Sequence, residues 1–466
     1  MEDVVAGRAS RGTRGTRGTR WTRAGLMRSG LGGAVALAGV AALAACGPGG
    51  AAGSGAGGAS AQSKQPVKLS FEWPTYTPPK QEWAEWAMKT YSAKYPNVTI
   101  EPMWNTNPTE KLTTTLAGGQ PPDVGWFGVG HWQFYQAFAP VEPLMAARKL
   151  KLDDYFAPIV DAMKWRGKMY AFPMGINTSA SFVNKGVYAK AGVPLPTDDQ
   201  TWDDLLNTGK RLTSGEGPQK IWANNAQYYT NYWPVAYGGG WFDADATKVT
   251  FNNPQTLKVL TMMREFWDRQ GISPTPQENG EIGLLPLFAT GRVAQFAGGT
   301  WGLPPFRKES FDWDLAEVPT LVDGGKKVKG AFAGTEEIFV VKDSPRLEAA
   351  ADFAAWLCGP EHLTWTGNRG DIIPALQKTA KEAFVLSGGE TRPKNLQAFV
   401  RAAAYAPPIA PHPRNADILK GYTTAVNKWL GTAADPTNSL TAQQSLQEAQ
   451  TEVQRLLDEW NKANPK

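Results

Sequence analysis

Tryptophans in turn-like contexts are the residues of this chain whose surroundings point most directly to chemistry. The chain has 19 tryptophans, and only Trp21 precedes residue 46. Six contexts place one beside Gly, Pro or Asn, namely Trp73-Pro74, Trp104-Asn105, Gly125-Trp126-Phe127-Gly128, Tyr232-Trp233-Pro234, Gly239-Gly240-Trp241 and Gly299-Thr300-Trp301-Gly302. An indole in such a loop has few neighbours to bury it, and its face can stack on the apolar C–H face of a sugar while Asn, Asp and Glu bind the hydroxyls. Individual rings can instead fill the core, but the set as a whole favours a ligand-facing surface.

Paired carboxylates offer a second chemistry, the acid and base catalysis of glycoside hydrolysis. The candidate pairs are Glu336 with Glu337 and Asp243 with Asp245. Adjacent residues in a strand point to opposite faces, so Glu336 and Glu337 do not face each other across a cleft. We therefore predict no catalytic residue and keep an exported carbohydrate-active hydrolase as the less favoured alternative.

Cysteine and histidine spacing predicts no metal site, and the charge distribution predicts no nucleic-acid partner. The chain has two cysteines and three histidines, without a CxxC or HExxH pattern. Cys358 ends an apolar run, where a free thiol usually behaves as a small buried hydrophobe. The net charge of +5 arises from seven arginines and two acidic residues before position 46, so the rest of the chain is neutral. It has no basic run that would neutralise phosphates.

Cys46 ends an N-terminal segment that looks like a bacterial lipoprotein signal. An arginine-rich start precedes the apolar run Ala34–Leu43, and small residues lead to Cys46. We predict a signal peptide over 1–45, a lipidated Cys46, and a flexible linker over 46–65 that is rich in Gly, Ala and Ser. Acyl chains would hold the protein on the extracytoplasmic face of the cell membrane, because the apolar run is too short to span the bilayer.

Strands and helices alternate from residue 67 onward, which is typical of an α/β fold with a mostly parallel sheet. The predicted strands are Val67–Trp73, Val98–Met103 and Val124–Phe127. The predicted helices are Lys80–Tyr95, Thr109–Ala117, Trp202–Leu212, Pro254–Arg269, Leu347–Leu357 and Thr441–Trp460. A chain of 466 residues is also long enough for two or more packed units.

Six stretches of sequence carry a family resemblance. They are Lys94–Ile100, Leu116–Val124, Met169–Pro173, Val183–Pro194 with Thr201–Leu205 behind it, Phe288–Ala294 leading into Gly299–Trp301, and Gly330–Gly334 before Glu348–Phe353. In this order they resemble the extracellular solute-binding proteins of ABC sugar importers, the maltose-binding-like group. Each stretch alone is a weak signal, whereas six in order over Val67–Trp460 make a strong match.

The resemblance implies an α/β fold of two lobes that close on a ligand as a hinged clamp, each lobe a mostly parallel sheet flanked by helices. The N-terminal lobe would comprise 66–175 plus 321–358, and the C-terminal lobe 176–320 plus 359–466. The chain would cross between them first near Gly175–Thr178 and again near Val318–Thr320.

The resemblance also implies ligand contacts from both lobes. They are Trp73, Tyr76, Asn105, Phe127, His131, Asn177, Tyr228, Trp233, Gly239, Trp241, Trp301, Gly334, Thr335, Glu336 and Arg414. Gly130 and Asn177 stand where relatives often carry acidic side chains, which leaves room for a phosphorylated or otherwise anionic ligand.

The implied function is that of a lipid-anchored monomer that captures a carbohydrate and delivers it to the transmembrane subunits of an ABC permease, without cofactor or catalysis. A binding protein for a phosphorylated polyol or a glycerophosphodiester is the alternative. The same clamp could also serve a surface adhesin or sensor that has no permease.

Overall fold

The alternation of strands and helices predicted from Val67 onward is present in the computed structural model. The described residues are 65–75, 78–128, 131–225, 233–243, 246–266, 271–275, 278, 283–388, 393–407, 412–431 and 440–465. The predictions for the leader, Cys46, the linker up to residue 64, Tyr76, Tyr228 and Asp245 lie outside the described residues.

The strands of the described ranges agree with the predicted ones to within two residues. They are β1 (Val67–Pro74), β2 (Val98–Asn105), β3 (Val124–Phe127), β4 (Lys164–Trp165), β5 (Lys168–Met169), β6 (Phe172–Asn184), β7 (Trp222–Asn224), β8 (Val293–Gly299), β9 (Trp313–Ala316), β10 (Leu321–Asp323), β11 (Lys326–Val328), β12 (Ala333–Val340) and β13 (Ile373–Pro374).

The helices of the same ranges include every helix that the sequence predicts. They are α1 (Pro78–Lys94), α2 (Pro108–Ala117), α3 (Glu142–Ala147), α4 (Ala157–Ala162), α5 (Lys185–Ala191), α6 (Trp202–Leu212), α7 (Trp233–Ala236), α8 (Pro254–Arg264), α9 (Leu284–Ala289), α10 (Leu303–Phe306), α11 (Leu347–Leu357), α12 (Pro360–Arg369), α13 (Gln377–Thr379), α14 (Gln397–Ala403), α15 (Asn415–Gly431) and α16 (Ala442–Ala463). Short 3-10 helices occupy His131–Ala137, Leu152–Asp154, Gly217–Gln219, Thr300–Gly302 and Val385–Gly388, and a π-helix occupies Ala380–Phe384.

Several helices begin where side chains replace missing backbone partners. Thr201 and Asp204 form a reciprocal capping box at the start of α6. Thr441 and Gln444 form the same arrangement at α16. The Asn107 side chain accepts a hydrogen bond from a backbone N–H of the first turn of α2. Local sequence therefore fixes these helix starts.

The sheet brings the carboxyl ends of several strands to one edge. The strands join in the order β2-β1-β3-β12-β6-β8-β7. β1 is parallel to β2 and β3, and β7 is parallel to β8. β12 runs antiparallel to both β3 and β6. In this register Trp73 lies opposite Trp104, and Pro74 lies opposite Asn105, at the ends of β1 and β2.

Strand β6 links two groups of strands. Its first half, Phe172–Thr178, pairs with β12. Its second half, Ser179–Asn184, pairs with β8 and β9. The exchange of partners between Thr178 and Ser179 lies at the end of the segment where the first crossing is predicted, and the crossing itself stays a prediction.

The segment where the second crossing is predicted lies beside the start of α6. Thr320 pairs with Thr201, and its N–H donates to the Gln200 carbonyl at 2.8 Å. The chain then forms the β10–β11 hairpin and enters β12 at Ala333. The crossing at Val318–Thr320 stays a prediction.

Helix α12, which the prediction assigns to the C-terminal lobe, packs against α1. The rings of Trp86 and Trp365 stack with centroids 4.1 Å apart and planes 10° apart. β13 also pairs with the first half of β6, at Ile176 and Gly175. The predicted lobe boundaries stay a prediction.

Cys358 is a fully buried free thiol, as its apolar surroundings predict. Burial raises the pKa of this thiol well above its usual value. The Tyr155 hydroxyl donates a hydrogen bond to the Cys358 carbonyl at 2.9 Å. Among the described helices, none combines the length and the apolar composition that crossing a bilayer requires.

Asp123 joins three segments at the start of β3. Its Oδ2 accepts hydrogen bonds from the N–H of Ser70 at 2.8 Å and from its hydroxyl at 2.9 Å. Its Oδ1 accepts from the Ser344 hydroxyl at 2.6 Å, and Arg346 Nε donates to both oxygens at 3.0 Å. The carboxylate is almost fully buried, so its role is to hold these segments together.

We expect Asp123→Ala to lower the free energy of unfolding by about 2–4 kcal/mol, because it leaves the partly buried donors of Ser70, Ser344 and Arg346 without their acceptor. Urea denaturation followed by circular dichroism measures the change. Asp343→Ala, at an exposed position of the same turn, is the matched control and should change stability by less than about 0.5 kcal/mol. Equal effects of the two substitutions would contradict the assigned role.

Candidate functional site

A chain of hydrogen bonds crosses the sheet at the point where β6 exchanges partners. Lys80 Nζ in α1 donates to Glu336 Oε2 in β12 at 2.8 Å. Asn177 Nδ2 in β6 donates to Glu336 Oε1 at 2.6 Å. The Thr300 hydroxyl, which follows β8, donates to Asn177 Oδ1. We call these four residues the crossing network.

The ion pair of the crossing network is largely withdrawn from solvent. The side chains of Lys80 and Glu336 are 12% and 7% exposed. Lys80 Nζ lies 3.6 Å from the centroid of the Trp126 ring, which adds a cation–π contact. Burial lowers the pKa of the Lys80 ammonium, and the Glu336 carboxylate opposes this shift. The pair is thus a fixed internal charge pair at the edge of the sheet.

Glu72 and Asn105 form a second polar group at the same edge. Asn105 Nδ2 donates to Glu72 Oε1 at 3.1 Å, while Glu72 Oε2 and Asn105 Oδ1 are buried without a hydrogen-bond partner. Burial raises the pKa of Glu72 to about 7, and Lys111 opposes the shift. An unpaired carboxylate oxygen beside an amide oxygen is suited to accept hydrogen bonds from hydroxyl donors.

Glu337 is the third buried carboxyl group of this edge. It accepts a hydrogen bond from the Thr335 hydroxyl through Oε1. Burial raises the pKa of Glu337 well above its usual value, and the negative charge of Glu336 adds to the shift. A register shift between Glu336 and Glu337 in β12 sends the two side chains to different surroundings.

Two tryptophans predicted to contact a ligand lie in the core instead. Trp73 is fully buried, and its Nε1 donates to the Lys80 carbonyl at 2.7 Å. Trp241 packs edge-on against Tyr422 with centroids 4.8 Å apart and is 6% exposed. Both rings are covered by other side chains, so neither ring offers a face to a ligand. Glycine and proline neighbours indicate the backbone conformation near a ring, but they do not indicate which side chains pack on it.

Phe127 belongs to a small apolar cluster on one face of the sheet. Its ring lies 5.9 Å from Phe134 and 6.4 Å from Phe339. Leu112, Phe138 and Val341 complete the buried part of the cluster. Phe127 therefore supports the edge that carries Glu337, its partner in the β3–β12 register.

Trp301 remains partly exposed, and it follows the crossing network directly. Its ring lies 6.3 Å from Phe296, and a Cβ atom at Gly299 would overlap its indole nitrogen. The absence of a side chain at Gly299 lets the indole lie against the end of β8. Trp301 is thus the predicted ring that directly follows a residue of the crossing network, Thr300, in the chain.

The other predicted contacts lie at several places. Gly334 and Thr335 are buried in β12 beside Asn177 and Ile176 of β6. Gly239 precedes the turn before Trp241, and its carbonyl accepts a hydrogen bond from Asn253. Arg414 forms an ion pair with Asp417 at 2.7 Å. His131 begins a 3-10 helix and Trp233 begins α7, but their side chains lie outside what the structure describes.

Sequence reasoning missed Lys80, Glu72 and Thr300. One signal pointed to Lys80, since a lysine in the first turn of a helix opposes the helix dipole and calls for a specific partner. Thr300 and Glu72 carry no such signal, because their partners come from other strands.

We expect Glu72→Gln to stabilise the fold strongly at pH 8 and little at pH 4.5. The pKa of Glu72 in the folded state is about 7 against an ordinary value of 4.5, so the folded chain binds more protons between these pH values and loses stability as the pH rises. The shift corresponds to a gain of roughly 3 kcal/mol when the wild-type carboxyl is fully ionised. Urea denaturation at the two pH values measures it. Glu85→Gln on the exposed face of α1 is the control, and an equal gain at both pH values would contradict the prediction.

Comparison with known proteins gives the family. The model of the bacterial extracellular solute-binding proteins matches residues 73–362. The maltotriose-binding protein of Pyrococcus abyssi is 23% identical over 311 residues, which is 63% of this chain and 63% of that relative. The sn-glycerol-3-phosphate-binding periplasmic protein of Shigella flexneri is 22% identical over 61% of this chain and 69% of its own length. The match thus spans less than two thirds of the first of these relatives.

A solved structure shows the same fold. The ABC substrate-binding protein of Listeria monocytogenes in complex with cycloalternan superposes with a TM-score of 0.72 at 22% identity, over 84% of this chain and 99% of that one. The two-lobed α/β fold predicted from the sequence is therefore confirmed. The chain belongs to the bacterial extracellular solute-binding proteins.

Proposed function

We propose that this protein captures a neutral carbohydrate between its two lobes and delivers it to an ABC permease for import. The observation that carries the proposal is the presence of the buried carboxyl groups of Glu72 and Glu337 at the edge of the sheet that holds the crossing network, which Trp301 follows in the chain. Carboxylates accept hydrogen bonds from sugar hydroxyls, and an indole face packs on the C–H groups of a pyranose.

The charges at this edge disfavour an anionic ligand. Glu72, Glu336 and Glu337 are all buried there, while Lys80 is already paired with Glu336. A phosphate placed beside these four groups would meet no unpaired cation among them and would lose its hydration, which costs several kcal/mol. A neutral polyhydroxyl compound meets no such cost.

Closure would follow from the crossing at β6. Contacts that a ligand makes with both lobes at once favour the closed form, and a permease that recognises this form then receives the ligand. No bond in the ligand needs to break. The relatives reported above are named as binding proteins, which supports this reading over hydrolysis.

A phosphorylated polyol is the second candidate ligand. The relative from Shigella flexneri is named for binding sn-glycerol 3-phosphate, and its match covers nearly as much of this chain as the maltotriose-binding relative does. The two candidates differ in charge, so direct titration separates them.

We expect a neutral saccharide such as maltotriose to bind at least tenfold more tightly than sn-glycerol 3-phosphate in isothermal titration calorimetry. Trp301→Ala should weaken saccharide binding by at least tenfold, about 1.4 kcal/mol, because it removes the stacking face. Trp365→Phe, in the stack between α1 and α12, is the control and should leave the affinity unchanged. Tighter binding of the phosphate, no response to mono-, di- or oligosaccharides, or release of reducing ends during incubation would each contradict the proposal.

The membrane anchor is part of the same proposal. A lipidated Cys46 would hold the two lobes at the extracytoplasmic surface through the Gly-rich linker. We expect Cys46→Ser to move the protein from the membrane fraction to the soluble fraction of expressing bacteria, while Cys358→Ser stays with the membrane. Equal partitioning of the Cys46→Ser variant and the wild type would contradict lipid anchoring.

A further inference from the structure

Glu336 uses both carboxylate oxygens inside the protein. Oε2 is bound by Lys80 at 2.8 Å and Oε1 by Asn177 at 2.6 Å. The group is also almost fully buried. Its chemistry is therefore directed toward its neighbours and not toward a ligand, which differs from the contact role that the family resemblance implies.

Asn177 connects Glu336 to Thr300 on the other side of the crossing through two hydrogen bonds. Asn177 belongs to the half of β6 that pairs with β12, opposite Gly334. Its Oδ1 accepts a hydrogen bond from Thr300, which follows Gly299, the partner of Ser179 in the other half of β6. The crossing network therefore connects α1 and β12 on one side with the end of β8 on the other.

Thr300 is fully buried, and the partly exposed Trp301 comes next in the chain. The Thr300–Gly302 segment is a single 3-10 turn. One turn has little backbone freedom, so the hydrogen bond of Thr300 and the close approach of the indole to Gly299 together limit where the Trp301 ring can lie.

We propose that Lys80, Glu336, Asn177 and Thr300 are positioning residues that fix the ring of Trp301 and couple it to the first group of strands. The inference rests on the proposed function only where ligand affinity is concerned. The orientation of Trp301 follows from contacts within the protein and is set before any ligand binds. Pre-organisation of a stacking ring raises affinity because the ring need not be ordered during binding.

The charge of Lys80 gives the network its rigidity. Hydrogen bonds to a charged acceptor are stronger than neutral ones, and a buried carboxylate that loses its counter-charge must find another partner or take up a proton. Loss of Lys80 would therefore weaken the hydrogen bond between Asn177 and Glu336. Because Thr300 is bound to Asn177, the position of Thr300 would then be less well fixed.

The first test observes Trp301 without ligand. The protein is labelled with 5-fluorotryptophan, and the ¹⁹F resonance of Trp301 is assigned as the one missing from Trp301→Phe. We expect Thr300→Val, which keeps the shape but loses the hydroxyl, to shift or broaden this resonance, and Thr300→Ser to preserve it. Thr113→Val, at an exposed position of α2, is the control. An unchanged Trp301 resonance in Thr300→Val would overturn the proposal.

The same resonance tests the distant end of the network. We expect Lys80→Met to shift it, although Lys80 lies 221 positions from Trp301 in sequence, and Lys89→Met on the exposed face of α1 to leave it unchanged. If Lys80→Met does not fold, the double variant Lys80→Met with Glu336→Gln removes both charges and is expected to shift the resonance as well. No shift in the folded variant would overturn the coupling.

The second test is a double-mutant cycle on the affinity for maltotriose. Thr300→Val and Asn177→Ala are each expected to weaken binding by roughly five- to tenfold, and the double variant should bind no more weakly than Asn177→Ala alone. Multiplied effects would mean that the two residues act independently and would overturn the proposal. If maltotriose and other saccharides do not bind at all, the proposed function fails, while the ¹⁹F measurement still decides the positioning role.

Discussion

The buried ion pair between Lys80 and Glu336 is the interaction on which the candidate site depends. Removing two charges from water is costly, and the cost is offset only when geometry is good and the remaining hydrogen-bonding capacity is used. Both conditions hold here, since Asn177 occupies the second carboxylate oxygen and the Trp126 ring lies against the ammonium. Such a pair contributes more to a unique arrangement of α1, β12 and β6 than to overall stability.

The same edge of the sheet holds Glu72 Oε2 and Asn105 Oδ1, which are buried without a hydrogen-bond partner. Unsatisfied polar atoms of this kind are rare in folded proteins and are costly unless something binds them. The unpaired oxygen atoms of Glu72 and Asn105 are consistent with a site that accepts hydrogen bonds from hydroxyl donors.

Sequence alone predicted most of the fold because its determinants are local. The bounds of α6 follow from the Thr201 cap and those of α2 from Asn107 and Pro108, and the strands follow from short apolar runs. The site was harder, because its contacts join residues far apart in the chain. Lys80 and Glu336 are separated by 256 positions, and Asn177 and Thr300 by 123. The resemblance marked Asn177, Glu336 and Trp301, but it also marked Trp73 and Trp241, whose burial depends on packing that no local pattern encodes.

Strand β6 is a single run of 13 residues that serves both groups of strands without an intervening loop. Its backbone is hydrogen-bonded on each side of the crossing, so few torsion angles are free to vary there. Ordering a flexible connection costs roughly 1–2 kcal/mol per residue. A crossing that is already ordered avoids this entropic penalty, and more of the binding free energy remains available for retention of the ligand.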